Sequence, residues 1–204
     1  GESVSMNAAG DRVAIGAGFN DGSGADAGHV RIYEYSSDSW TQLGSDIDGE
    51  IAGDKSGESV SMNAAGTRVA IGAGFNDGSG ADAGHVRIYE YSSNSWTQLG
   101  ADIDGETAGD FSGTVSMNAA GDRIAIGAIN NDGNGAEAGH VRIYEYSSNT
   151  WIQLGLDIDG EIAGDKSGES VSMNAAGDRV AIGAGFNDGS GADAGHVRIY
   201  EYSS

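Results

Sequence analysis

RVAIGAGFNDGSGADAGHVRIYEY, from Arg12 to Tyr35, is two alternating runs joined by a loop of glycine, alanine and acidic residues. Val13 and Ile15 alternate with Ala14 and Gly16; Val30 and Ile32 alternate with Arg31, Tyr33 and Tyr35. A period of two, in β-branched and aromatic residues, specifies two strands, and Gly18–Gly28 between them reads as a long hairpin loop. The stretch returns at Arg68–Tyr91, at Arg123–Tyr146 as RIAIGAINNDGNGAEAGHVRIYEY, and at Arg179–Tyr202. Recurrence at fixed spacing marks a repeat architecture.

Working outward, the units begin at Gly1, Gly57, Gly113 and Gly168, spaced 56, 56 and 55 residues apart. They occupy 1–56, 57–112, 113–167 and 168–204 of one repeat domain, and the last is identical to Gly1–Ser37. Before the quoted stretch lies strand A, Glu2–Asn7, with Val4 and Met6 on one face and Ser3 and Ser5 on the other. The quoted runs are strands B (Arg12–Ala17) and C (His29–Tyr35), and strand D follows from Trp40 to about Ile47. No segment has a helical period with caps, so the chain is expected to be all-β.

Side chains grow along the unit, from Ser, Ala and Gly on strands A and B to Tyr33, Tyr35, Trp40 and Leu43 on C and D. A four-stranded antiparallel sheet shaped as a wedge packs radially. That predicts a β-propeller of ~56-residue blades, strand A at the axis and strand D at the rim. An open stack of the same units is the alternative. The chain supplies four A-B-C sets but three D strands. A bare strand edge invites pairing, so self-association is expected.

With 31 acids against 10 bases, the net charge is −21. Phosphate backbones need clustered Lys and Arg, so nucleic acid is excluded as a partner. No apolar run is long enough to span a bilayer, so membrane insertion is not expected. The lack of Cys removes any disulfide framework.

Two acidic sets recur. In the B–C loop they are Asp21 and Asp26, Asp77 and Asp82, Asp132 and Glu137, Asp188 and Asp193. In the D–A connection they are Asp46 and Asp48, Asp102 and Asp104, Asp157 and Asp159, each followed by Gly-Glu. Carboxylates spaced by glycine can wrap a hard cation such as calcium. Solvated loops closed by Asx-turns are the plain alternative. In a propeller both loops leave the same face, which would make that face the ligand surface. His29, His85, His140 and His196 each open strand C. They would share a metal only at the axis, and strand C is not axial, so they read as caps on the loop. Arg31 and Glu34 read as a cross-strand pair. The tyrosines and tryptophans read as inter-blade core, with a sugar-stacking surface as the other use.

The pattern GESVSMNAAGDRVAIGA…AGHVRIYEY resembles the FG-GAP repeat of integrin-α-type propellers. Val13–Ala17 matches the Gly-Ala end of one strand and Gly28–Tyr35 the next strand, in every unit. The family's Phe-Gly and Pro are absent, and its calcium loop is reduced to Asn7-Ala8-Ala9-Gly10-Asp11, with Thr67 in place of the Asp in the second unit. The resemblance implies a secreted or cell-surface adhesion module that binds a protein or carbohydrate ligand, with calcium as bridge. The alternative is a structural propeller completed by another chain's strand. No nucleophile constellation stands out, and near-identical units offer no unique site, so no enzyme is expected. The residues breaking the symmetry (Phe111, Thr114, Ile129, Asn130) cluster near the junction of the second and third units.

Overall fold

Each unit folds on itself as an antiparallel meander, because its turns are short and its alternating runs are adjacent in sequence. The computed structural model describes residues 1–202, all of them in strands, turns and loops. Blade 1 holds β1 (Ser3–Met6), β2 (Arg12–Ala17), β3 (His29–Ser36), β4 (Ser39–Gln42) and β5 (Ile47–Asp48). Blade 2 holds β6 (Ser59–Met62), β7 (Arg68–Ala73), β8 (His85–Ser92), β9 (Ser95–Gln98) and β10 (Ile103–Asp104). Blade 3 holds β11 (Ser112–Met117), β12 (Arg123–Ala128), β13 (His140–Ser147), β14 (Thr150–Gln153) and β15 (Ile158–Asp159). Blade 4 holds β16 (Ser170–Met173), β17 (Arg179–Ala184) and β18 (His196–Glu201). The architecture is the expected all-β, propeller-like array, and its sheets do not close into a ring.

Strand D is not one strand. The run from Trp40 to Ile47 splits into β4 and β5, and both pair with β3. Gly44 lies between them at φ +79°, a left-handed conformation that turns the chain.

The first strands of successive blades stand side by side, which is the expected axial position. The Ser5 hydroxyl accepts the Met62 N–H at 2.9 Å, Ser61 accepts Met117 at 2.9 Å, and Ser116 accepts Met173 at 2.9 Å. Small side chains are needed here. A Cβ on Gly16 or Gly72 would fall within 2 Å of the carbonyl oxygen of Gly57 or Gly113.

The two faces of a blade do different work. Ala14, Val30, Ile32 and Ile47 leave blade 1 toward blade 2 and meet Val60, Met62, Val69, Ile71, Tyr89 and Trp96. The same arrangement joins blades 2 and 3, and a smaller one joins 3 and 4. Each fully buried Ile or Val contributes about 1.5–3 kcal/mol, so these junctions hold the fold together. Tyr89, Tyr91 and Trp96 of blade 2 and Tyr144 and Trp151 of blade 3 serve the core as expected. In blade 1, Tyr35 and Trp40 are exposed.

The Arg31–Glu34 pair does not form. Glu34 takes Arg12, its register partner on β2, at 2.6 Å, while Arg31 grips Asp46 at 2.9 Å. Arg31 and Glu34 are three residues apart on one strand and point to opposite faces, so the pairing must come from the neighbours.

Candidate functional site

The B–C loops, the D–A connections and the start of every strand C share one face, because β1 and β3 each register with the far end of β2. Near the axis on this face lies a cavity of about 400 Å³ between blades 2, 3 and 4. Its wall includes Phe75, Phe111, Thr114, Ile129 and Asn130, with Glu58, Glu169 and Lys166 at its polar side.

Four of these residues depart from the repeat: Phe111 near the end of the second unit, and Thr114, Ile129 and Asn130 in the third. Phe111 stands where other units have Lys55 and Lys166, and Ile129-Asn130 stands where they have Gly-Phe. Gly113-Thr114 replaces Gly-Glu-Ser, and the missing residue is absorbed by a register shift in β11 between Ser112 and Thr114. Between blades 1 and 2, Lys55 fills the equivalent space and places Nζ 3.7 Å from the Phe75 ring centre. Between blades 2 and 3, Phe111 packs edge-on against Phe75 instead, with ring centres 4.9 Å apart. Lys166 is drawn aside by Glu137 at 3.5 Å and by Asn130 Oδ1 at 3.5 Å. Desolvation in the cavity wall, and then the nearby Glu2, raise the Glu58 carboxyl above its ordinary range.

The B–C carboxylates serve their own loops. Asp21 accepts the Asp26 N–H at 2.9 Å, Asp77 that of Asp82 at 2.8 Å, Asp132 that of Glu137 at 2.8 Å and Asp188 that of Asp193 at 2.7 Å. The second residue of each pair sits at positive φ, as an Asx-closed turn requires. Among the described residues these pairs form no cluster of three ligating groups.

The D–A carboxylates do gather, with a partner the sequence reading set aside. His29 meets Asp46 and Asp48; Glu50 and Asp102 meet His85; Glu106 and Asp157 meet His140. In the second and third clusters the glutamate comes from the preceding blade. Asp104 and Asp159 stay outside these clusters, and their backbone carbonyls accept Arg142 and Arg198 of the next blade. His85 and His140 are therefore junction residues, not loop caps. The signal was present as Gly-His in every unit and Asp-Gly-Glu in the first three, but nothing local shows that these motifs meet across a junction. Burial, and then the adjacent Arg87 or Arg142, lower both imidazoles from their ordinary value; the facing carboxylates oppose this. Asp46 is held low by its hydrogen bond from Arg31.

No family model matches this chain, and no curated protein matches it by sequence. Solved structures match by shape. A Kuenenia stuttgartiensis hydrazine synthase aligns at TM-score 0.57 and 10% identity, over 89% of this chain and 41% of that one. A Bacteroides uniformis protein described as a "putative 6-phosphogluconolactonase" aligns at TM-score 0.61 and 9% identity, over 98% of this chain and 50% of its own. A Bacteroides fragilis protein of the same description aligns at 0.53 and 10%, over 76% and 38%. The chain thus spans half or less of each, and at this identity the likeness is one of fold. It corrects the expectation that the chain is not an enzyme, because the same propeller-like fold occurs in proteins described as enzymes. The premise of that expectation also gives way, since the repeat does contain an asymmetric cavity.

Proposed function

We propose that this chain is a binding module whose ligand seat is the axial cavity, and that the ligand is a small amine with an apolar body. One observation carries this reading: Phe111 of the second unit and Thr114, Ile129 and Asn130 of the third, all exceptions to the repeat, converge on one wall. Phe75, Phe111 and Ile129 offer an apolar surface, and Glu58 and Glu169 stand beside it against the single cation Lys166, which is paired with Glu137. A protonated amine satisfies both, through a carboxylate pair and contact with aromatic faces. The same charge disfavours a phosphorylated sugar, the substrate named in the description of the Bacteroides proteins. The resemblance to integrin-type repeats supports a secreted or cell-surface location for such a module.

The test restores the repeat. Phe111→Lys, Ile129→Gly and Asn130→Phe together copy residues that other blades already carry, so the fold is retained. Binding of phenethylamine, followed by ligand-observed NMR, is expected in the parent chain and lost in the triple variant. Equal binding in both, or binding in neither, overturns the reading.

A second reading is self-assembly. It is favoured by the two apolar blade faces left uncovered at the two ends of the array: Val4 and Met6 on blade 1, Val197 and Ile199 on blade 4. Faces, more than the bare strand edge, are what a partner would cover. Solution mass measured against concentration tests it.

A further inference from the structure

The geometry points to a second kind of site: a divalent transition-metal ion, of the zinc type, bound at the first two blade junctions, by Glu50, His85 and Asp102 between blades 1 and 2 and by Glu106, His140 and Asp157 between blades 2 and 3. The argument rests on how each ligand is aimed. His85 is buried, with Nδ1 3.9 Å from Glu50 Oε2 and 3.8 Å from Asp102 Oδ2. His140 repeats this at 4.0 Å from Glu106 Oε2 and 3.9 Å from Asp157 Oδ2. Neither imidazole hydrogen-bonds to a carboxylate at these distances, and His140 Nδ1 is buried without any partner. In each triad the nitrogen lies 3.8–4.0 Å from both carboxylate oxygens and all three atoms lie within 4.8 Å of one another, so closing on an ion would draw them in to the ~3.4 Å edges of a tetrahedral zinc site, whose bonds are about 2.0–2.2 Å.

The other oxygen of each carboxylate is held in place. Arg87 holds Glu50 Oε1 at 3.5 Å and Arg142 holds Glu106 Oε1 at 3.6 Å. Gln98 donates to Asp102 Oδ1, and Gln153 to Asp157 Oδ1 at 2.6 Å. Each carboxylate thus has one oxygen fixed by an orienting donor and one turned toward the imidazole, the outer-shell arrangement that metal ligands need. The fourth direction stays open to solvent, since Glu50 and Glu106 are partly exposed.

Blade 1 shows the arrangement when no glutamate of another blade joins the histidine cluster. There Arg31 closes on Asp46 with both Nε and NH2. In blades 2 and 3 the equivalent arginine reaches back to the Asp48 or Asp104 carbonyl, at 2.8 and 2.7 Å, and leaves Asp102 or Asp157 free. Junction formation therefore assembles the site. The ligand type separates it from a calcium loop, because calcium takes oxygen donors and imidazole suits zinc and its neighbours.

The test is a calorimetric titration of Zn²⁺ into the chelator-stripped 204-residue chain, with the visible spectrum of the Co²⁺ form. Two ions per chain are expected, with cobalt bands of low coordination number. The double variant Glu50→Gln, Glu106→Gln changes only partly exposed side chains and should unfold at the parent's temperature. It should bind at least ~10–100-fold more weakly, the loss that even outer-shell changes cause. A His140→Gln variant should lose one ion of the two. Unchanged binding in the double variant would mean scattered binding to the acidic loops and would overturn the assignment. So would the absence of zinc binding, or ready displacement of zinc by equimolar calcium.

Discussion

Trp96 Nε1 donates to the carbonyl of Leu43, in the preceding blade, at 2.8 Å, and Trp151 repeats the bond to Leu99 at 2.8 Å. The tryptophan is a rim lock between blades. Its ring lies against Gly44, where a Cβ would come within 2.8 Å of Trp96 Cδ1. Trp96→Phe leaves a carbonyl unpaired and a gap behind it. It should cost about 1–3 kcal/mol in chemical denaturation. Trp40→Phe, at an exposed position, should cost next to nothing in the 204-residue chain. Equal effects would mean that the rim bonds do not stabilise the junction.

The axis has its own lock in the Ser61 hydroxyl, which accepts the Met117 N–H of the next blade. Ser61→Ala strands that amide between two packed sheets, for an expected loss of about 1–3 kcal/mol. Ser172 is its equivalent in blade 4, and it is exposed. Ser172→Ala should leave the denaturation midpoint unmoved, and the pair of variants isolates the inter-blade bond from any change in strand propensity.

What could be read in the sequence follows from the range of the interactions. Strands B and C were legible because Val13, Ile15, Val30 and Ile32 declare a period of two without outside help. The wedge was legible because residue size is local too. Strand D was misread as continuous: Leu43-Gly44-Ser45 bends to meet Trp96, more than fifty residues later. The Asp54–Asn76 bond, at 3.1 Å, was hidden for the same reason, as were the histidine clusters. The cavity sat between these cases. Its residues could be picked out as exceptions to the repeat, but only folding shows that Phe111 and Ile129 share a wall.

Buried histidines should give the metal-free protein a particular acid sensitivity. Burial lowers His85 and His140 against the partial opposition of Asp102, Glu50 and Asp54 around the first and Asp157, Glu106 and Asp110 around the second. Above the ordinary imidazole value near 6.5, folded and unfolded chains are both neutral there. Below it the unfolded chain takes up protons first, so stability drains away as pH falls toward the lowered folded value. Denaturation midpoints in chelator should drop between pH 7.5 and 5.5. A His85→Gln, His140→Gln variant should show a shallower drop, and an identical slope would place the sensitivity elsewhere.

The uncovered blade faces make a prediction that distinguishes ordered stacking from sticky surfaces. Val4 and Met6 are 69% and 55% exposed on blade 1, while their counterparts Val60 and Met62 are 8% and 7% exposed inside a junction. Val197 and Ile199 are 65% and 74% exposed on blade 4, while Val86 and Ile88 are fully buried. The two open faces thus carry most of the two halves of a junction the chain already makes within itself, blade 4 lacking the counterparts of Leu43 and Ile47. A second copy can place its blade 1 on the blade 4 of the first. This contact joins unlike faces, so it propagates from copy to copy. The parent chain should show a mass that rises with concentration in sedimentation. Met6→Asp spoils one face and Ile199→Asp the other, so each variant alone should be monomeric. Mixed, they retain one good face of each kind and should form a 1:1 dimer that grows no further. If the mixture stays monomeric while the parent associates, the association does not use the blade junction.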